Sequence, residues 1–191
     1  LHQALDVLPL EHFLLEQRLR EPLQQRPVLG DHPLCAAMGL VGDELQLEAP
    51  LGAFYLRHVT QPLVLVAGGT GLSALLGMLD ELAERGCEQP VHLYYGVRGA
   101  EDLCEAQRIQ AYAESIPGFR YTEVLSDPSP QWLGKRGYLT EHFDLAELRD
   151  RSADMYVCGP PPMVESIKNW LQEQALDGVQ LHYEKLTESN I

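Results

Sequence analysis

The sequence predicts an α/β fold: a doubly wound parallel sheet of five strands, with an N-terminal appendage. Three observations carry that expectation. From residue 61 onward, apolar runs of strand length alternate with stretches of helical periodicity. The first apolar run ends in a glycine-rich turn that leads straight into a helical pattern. The chain of 191 residues is 45% apolar and 22% charged, which suits one domain with a sizeable core plus a smaller segment.

Residues 1–41 stand apart as an atypical N-terminal segment. Residues 10–23 (LEHFLLEQRLREPL) have the apolar spacing of a short helix, and the prolines and glycine of residues 24–34 predict a linker. Residues 42–60 form a second segment. Leu45, Leu47 and Ala49 alternate with polar residues, and Pro50 and Gly52 then turn the chain: one strand and a tight loop.

Residues 61–191 carry the repeating pattern. PLVLVAGG predicts a fully buried strand, LSALLGMLDELAER a helix and PVHLYYGV a second strand. EDLCEAQRIQAYAESI predicts a second helix, stopped by Pro117 and Gly118. FRYTEVLS is then a third strand, LTEHFDLAELR a third helix and ADMYVCG a fourth strand. PPPMVESIKNWLQEQA predicts a fourth helix, with its prolines in the first turn where a missing N–H is harmless. VQLHYEKL closes the sheet.

Composition narrows the function. Lys and Arg number 14 against 28 Asp and Glu, and the net charge of −14 would repel a nucleic-acid backbone. Cys35, Cys87, Cys104 and Cys158 lack the spacing of a zinc knuckle or of a ferredoxin cluster, so no metal site is expected. They read as four reduced thiols in a cytoplasm. No signal peptide is visible. The uncharged run from Val59 to Leu79 contains Gln61, Pro62, Thr70 and four glycines, which predicts strand, turn and helix rather than a membrane span.

Ligands of doubly wound sheets bind outside the carboxyl ends of the strands, where the strand order reverses. The first strand ends in Gly68-Gly69-Thr70-Gly71, and residues 69–74 fit the dinucleotide pattern G-x-G-x-x-A. Glycines permit a sharp turn and close approach, and the following helix directs N–H groups at an anion. The alternative is a tight turn without a ligand. The second strand ends at Arg98, with Glu101 and Asp102 only after a further turn, which departs from the usual dehydrogenase placement of an acidic residue. The fourth strand ends in Cys158-Gly159-Pro160-Pro161-Pro162-Met163. Cys158 is either a soft thiol against a flat ring or a small buried residue. Glu184, near the end of the last strand, is either an orienting carboxylate or a solvated strand end.

Taken together, AGGTG, YGVR, CGPPPM and YEK resemble the ferredoxin–NADP reductase superfamily. The closest likeness is to the NADH:acceptor reductases of benzoate- and anthranilate-type aromatic-ring dioxygenases. The resemblance runs from about Gly42 to Ile191, and residues 42–57 resemble the closing strand and loop of that family's flavin domain. It implies that NADH lies with its pyrophosphate near Gly68, Gly69, Thr70 and Gly71. It places the adenosine near Arg98, Asp102 and the turn through Gly159, Pro160 and Met163, and the nicotinamide by Cys158 and Glu184. It further implies electron transfer through FAD and a 2Fe–2S cluster to a terminal oxygenase in the cytoplasm, as part of aromatic catabolism.

The chain also departs from that family. The Arg-x-Tyr-Ser flavin motif does not occur in residues 1–41, the cluster-binding cysteines are absent, and Leu186 replaces the usual aromatic residue after Glu-Lys. The expectation is therefore an NAD(P)H-binding domain whose oxidoreductase activity needs the flavin and ferredoxin-like domains of a parent protein, with residues 1–41 a truncation, a fusion joint or an out-of-frame stretch. NADH is expected over NADPH, although Arg98 and Arg108 offer positive charge for a 2′-phosphate. The competing reading is a non-catalytic module that senses NAD(H).

Overall fold

Alternate residues of the central strand, β1 (Leu63–Gly68), point to opposite faces, and both faces are buried. Leu63, Leu65 and Ala67 enter one core, and Val64 and Val66 enter the other. Full burial of such a side chain contributes roughly 1.5–3 kcal/mol, so a strand apolar on both faces is driven to the middle of the sheet. The computed structural model describes residues 53–144, 148 and 152–186. The helix, linker and strand expected before residue 53 lie outside them, and residues 54–60 carry no regular secondary structure.

Beside β1 stand β2 (Val91–Val97), β3 (Phe119–Leu125), β4 (Lys135–Arg136), β5 (Ala153–Gly159) and β6 (Val179–Lys185). The sheet order is β4-β3-β2-β1-β5-β6, and every adjacent pair is parallel. The order reverses between β1 and β5, which makes the carboxyl end of β1 the topological switch point. Helices α1 (Leu72–Arg85) and α2 (Ala106–Ser115) cover one face, and α3 (Pro161–Glu173) covers the other.

The structure corrects the expected five strands to six. The added strand, β4, pairs Lys135 and Arg136 with Val124 and Leu125. It is two residues long and charged, so it carries no apolar signal.

Two helices also differ from expectation. The second begins at Ala106 rather than Glu101, because residues 100–102 form a separate 3-10 turn. There the Asp102 carboxylate accepts the Gly99 N–H at 3.0 Å, and Glu105 takes a left-handed φ of 59°. Of the helix expected over residues 139–149, only a 3-10 turn at Leu139–Glu141 forms before Asp144. Leu139 and Phe143 are buried against the sheet, and the Asp144 N–H donates to the Tyr94 hydroxyl at 3.2 Å instead of to a helical carbonyl. Residues 145–147 and 149 of that segment lie outside the described residues.

Candidate functional site

The chain opens a cleft of about 700 Å³ across the carboxyl ends of β1, β2 and β3. Gly68, Gly69 and Thr70 form its edge at β1, and Tyr95 to Arg98 form its floor at the end of β2. Ser126 follows β3, while Gly137 to Thr140 contribute from the segment after β4. The start of α3 closes the remaining side with Pro160, Pro162 and Met163.

The glycine turn is shaped by two separate demands. Gly69 has a φ of +54°, the left-handed region, and open space where a side chain would stand. Gly68 beside it, and Gly159 at the end of β5, are instead glycines because Met163 presses on them. A Cβ on Gly68 would stand 2.5 Å from Sδ of Met163, and one on Gly159 would stand 2.6 Å from the Met163 terminal methyl. The turn is a 3-10 turn that leads into α1 without side-chain capping and without acidic residues in the first helical turn. Backbone N–H groups at such a helix start suit an anion.

The start of α3 is different in kind. Pro160, Pro161 and Pro162 have no N–H, and the first donor, Met163, is spent on the Pro160 carbonyl at 3.0 Å. This wall therefore offers apolar surface rather than anion binding.

Charge at the rim is balanced locally. Nε and Nη2 of Arg98 donate to the Asp127 carboxylate at 3.3 and 3.2 Å. Both side chains are well exposed, 80% and 68%, so the pair is soft. Arg108 is not at the cleft. It pairs with Asp80 and donates to the Tyr112 hydroxyl at 3.0 Å, between α1 and α2. Tyr95 sits under the rim with its hydroxyl 3.3 Å from Sγ of Cys104 and bonded to the Asp102 carbonyl, and burial holds its phenol far above the ordinary range.

Of the residues singled out in the sequence, Gly68, Gly69, Thr70, Arg98, Asp102, Pro160 and Met163 meet at the cleft. Gly71 and Gly159 lie behind it and serve close packing of backbone and side chains. Cys158 is 1% exposed and is not part of the cleft lining. Burial, followed by the negative charge of Glu184, pushes its thiol up to about 12. Glu184 is exposed and pairs in register with Cys158 across β5 and β6. Leu186 is held at the same end, its N–H donating to the Gly159 carbonyl at 2.9 Å.

The sequence reading missed Ser126, Asp127, Tyr138 and Thr140. Ser126-Asp127 directly follows the third strand, where the strand-end rule applies as it does at the first two. Tyr138 gave no signal, since it lies in a short segment between β4 and the 3-10 turn at Leu139–Glu141.

Comparison with known proteins agrees with this geometry. Residues 65–169 match the family model described as an oxidoreductase NAD-binding domain. The anthranilate 1,2-dioxygenase electron transfer component of Acinetobacter baylyi is 54% identical over 150 residues, 78% of this chain and 44% of that protein. The toluate 1,2-dioxygenase electron transfer component of Pseudomonas putida is 40% identical over 153 residues, 80% of this chain and 45% of that protein. Among solved structures, the Amycolatopsis cytochrome P450 reductase GcoB superposes with a TM-score of 0.64 at 34% identity, covering 77% of this chain and 47% of that one. The chain thus spans less than half the length of these relatives. They bear out the resemblance to ferredoxin reductase-like proteins and to dioxygenase electron-transfer components.

Proposed function

This chain belongs to the oxidoreductase NAD-binding domain family, and on that premise we propose that it is the NADH-binding half of an electron-transfer reductase serving a ring-hydroxylating dioxygenase. One observation carries the reading: the bare-backbone glycine turn at the switch point opens into a cleft whose opposite wall is apolar and has no free helix-start donors. Gly69 lines the cleft with nothing within 4 Å where a side chain would stand, and this bare, open backbone fits the phosphate of a nucleotide.

The pyrophosphate takes the backbone at Gly68, Gly69 and Thr70. The adenosine takes Arg98, Asp102 and the turn from Pro160 to Met163, with the exposed ring of Tyr138 suited to lie against a flat base. NADH is favoured over NADPH because Asp127 already occupies the Arg98 guanidinium and would repel a 2′-phosphate. The nicotinamide end lies toward Cys158 and Glu184. Cys158 acts there as a neutral thiol that sets ring placement, since its raised pKa keeps it protonated at pH 7.

Bound NADH supplies a hydride for an acceptor held elsewhere in the parent protein. In this reading FAD and a 2Fe–2S cluster belong to that protein's flavin and ferredoxin-like domains. The flavin motif is lacking in residues 1–41, and no group of three His, Cys, Asp or Glu side chains is placed to hold a metal among the described residues. The terminal oxygenase is the electron-receiving partner. A cytoplasmic setting accords with the free thiols of Cys87, Cys104 and Cys158, and no helix among the described residues is long and apolar enough to cross a membrane.

The test is to purify the chain without added flavin and to record its spectrum, NADH affinity and turnover. We expect a colourless protein that binds NADH and reduces neither cytochrome nor ferricyanide alone. Adding a separately produced flavin domain then gives slow turnover. Loss of NADH binding in a folded chain sinks the reading, and NADH binding that never couples to any flavin domain favours a sensing module instead.

A further inference from the structure

Away from the cleft, a side-chain network ties residues 54–62 to the face of β5 and β6. Asp154 is 6% exposed, and both of its oxygens are engaged. Nε2 of His182 lies 2.9 Å from Oδ1, and the Gln61 side-chain amide donates to Oδ2 at 2.9 Å. The Asp154 N–H donates to the Pro62 carbonyl at 3.0 Å. Two residues further along β5, the Tyr156 hydroxyl accepts the Arg57 backbone N–H at 2.9 Å. The Tyr156 ring stacks on His182 with centroids 4.5 Å apart and receives Phe54 edge-on at 6.0 Å.

This network costs something to build. A buried carboxylate must be desolvated, and losing one of its partners leaves a penalty larger than the bond itself. A segment without secondary structure does not need so specific an anchor merely to be covered, because Phe54, Leu56 and Val59 already pack on the core. The chain also divides into two compact units between Ala53 and Phe54, so the anchored residues are the first of the second unit.

We propose that His182, Asp154, Gln61 and Tyr156 form a positioning clamp that fixes the path of residues 54–62 relative to the hydride-transfer end of β5 and β6. This rests on the reductase reading. Asp154, Tyr156 and Cys158 alternate along β5 and so share one face, and His182 and Glu184 stand in register beside Tyr156 and Cys158 on β6. From Asp154 to Cys158 is roughly 13 Å of strand. One rigid strand face therefore carries both the anchor of the incoming chain and the residues assigned to the nicotinamide end. Hydride transfer needs donor and acceptor about 3–3.5 Å apart, and a displacement of about 1 Å costs on the order of a hundredfold in rate. The clamp converts the stiffness of the sheet into that distance. His182 acts through Asp154 and Gln61, not on the substrate.

The experiment has two readouts. In this chain, amide hydrogen exchange at Arg57 reports the clamp directly, because that N–H is one of its donors. Exchange at Arg57 is expected to rise about tenfold or more in His182→Leu and in Tyr156→Phe, with the NADH dissociation constant within about twofold of wild type. His182→Gln, which restores an amide donor toward Asp154, returns the exchange rate to near the wild-type value. In the full-length reductase carrying this domain, His182→Leu lowers hydride transfer about tenfold and His182→Gln recovers it. Tyr156→Phe, which removes one hydroxyl, gives the same answer should His182→Leu not fold. Unchanged Arg57 exchange in both variants overturns the proposal, as does a released Arg57 amide with undiminished hydride transfer. Failure of the wild-type chain to bind NADH defeats the reductase reading instead, and is seen separately.

Discussion

The carbonyl oxygen of Cys158 lies where a side chain on Gly71 would have to go: a Cβ there would be 2.1 Å away. The turn after β1 is thereby pressed against the end of β5, across the switch point of the sheet. The contact is backbone on backbone, so no rotamer change relieves it. Gly71→Ala is expected to destabilise the protein by about 3 kcal/mol, the upper end of the range for overpacking. Thermal unfolding would show it as a fall of roughly 10 °C in Tm. A Tm within a degree or two of wild type would mean that the two backbones separate easily.

Gly69 allows a cleaner test of the phosphate assignment, since its side-chain direction is open. Asn and Asp are the residues that best tolerate its left-handed φ. Gly69→Asn is expected to leave NADH affinity within about threefold, while Gly69→Asp brings a negative charge to the pyrophosphate and weakens binding tenfold or more, about 1.4 kcal/mol. Titration calorimetry on the two variants decides it. Equal affinities would remove the anion from this turn.

The thiols are predicted to differ sharply in reactivity. Cys104 is exposed, whereas Cys158 is buried and its thiol is pushed up to about 12. Only the thiolate is nucleophilic. Iodoacetamide at pH 8 should therefore modify Cys104 in the native protein and spare Cys158 until the chain is unfolded. Mass spectrometry of the digested product reads this out.

The same shift fixes the sign of an alkaline effect. The unfolded thiol titrates near 9.0 and the folded one near 12, so above pH 9 the unfolded state loses its proton first. Burial raises the phenols of Tyr95, Tyr112 and Tyr121 in the same direction. Stability from the thiol is fully present at neutral pH and is lost as pH climbs from about 9 toward 12, and the phenols add to the loss from about pH 10 upward. Urea midpoints at pH 7, 9 and 10.5 should fall in that order. A midpoint that rises with pH would contradict the burial of these groups.

Nucleotide choice should turn on the pair at the rim. With Asp127 beside it, Arg98 has a carboxylate to repel a 2′-phosphate and to hold the guanidinium. Asp127→Asn removes the repulsion and leaves the cation, so the affinity ratio of NADPH to NADH is expected to rise about tenfold, about 1.4 kcal/mol. Dissociation constants for both nucleotides in both proteins provide the check. An unchanged ratio would place the adenosine ribose elsewhere.

Local pattern was enough for much of this molecule. β1, and β5 apart from Asp154, are apolar on both faces and so suit central strands, and a glycine run between a buried strand and an amphipathic helix marks the switch-point turn in a single stretch of chain. Local pattern misplaced the start of the segment expected to be helical from residue 139. Leu139 and Phe143 have helical spacing, yet Leu139 is buried over Gly96 and Phe143 lies edge-on between Tyr94 and Trp170, each 4.9 Å away, so over residues 139–144 the spacing served the sheet.

What the sequence by itself determined, then, is the alternation of elements, the glycine turn and the strand ends at which residues gather, because each follows from side-chain period and backbone freedom over a few neighbouring residues. Only the tertiary structure decided that Gly71 answers to the Cys158 carbonyl, that Asp127 neutralises Arg98 rather than Arg108 doing the work of the rim, and that Asp154 joins Gln61 to His182. Those partners stand on different strands and loops, brought together by parallel crossovers that carry the chain over a whole helix between one strand and the next. No window of sequence contains both members of such a pair, so their distances exist only once the sheet has closed.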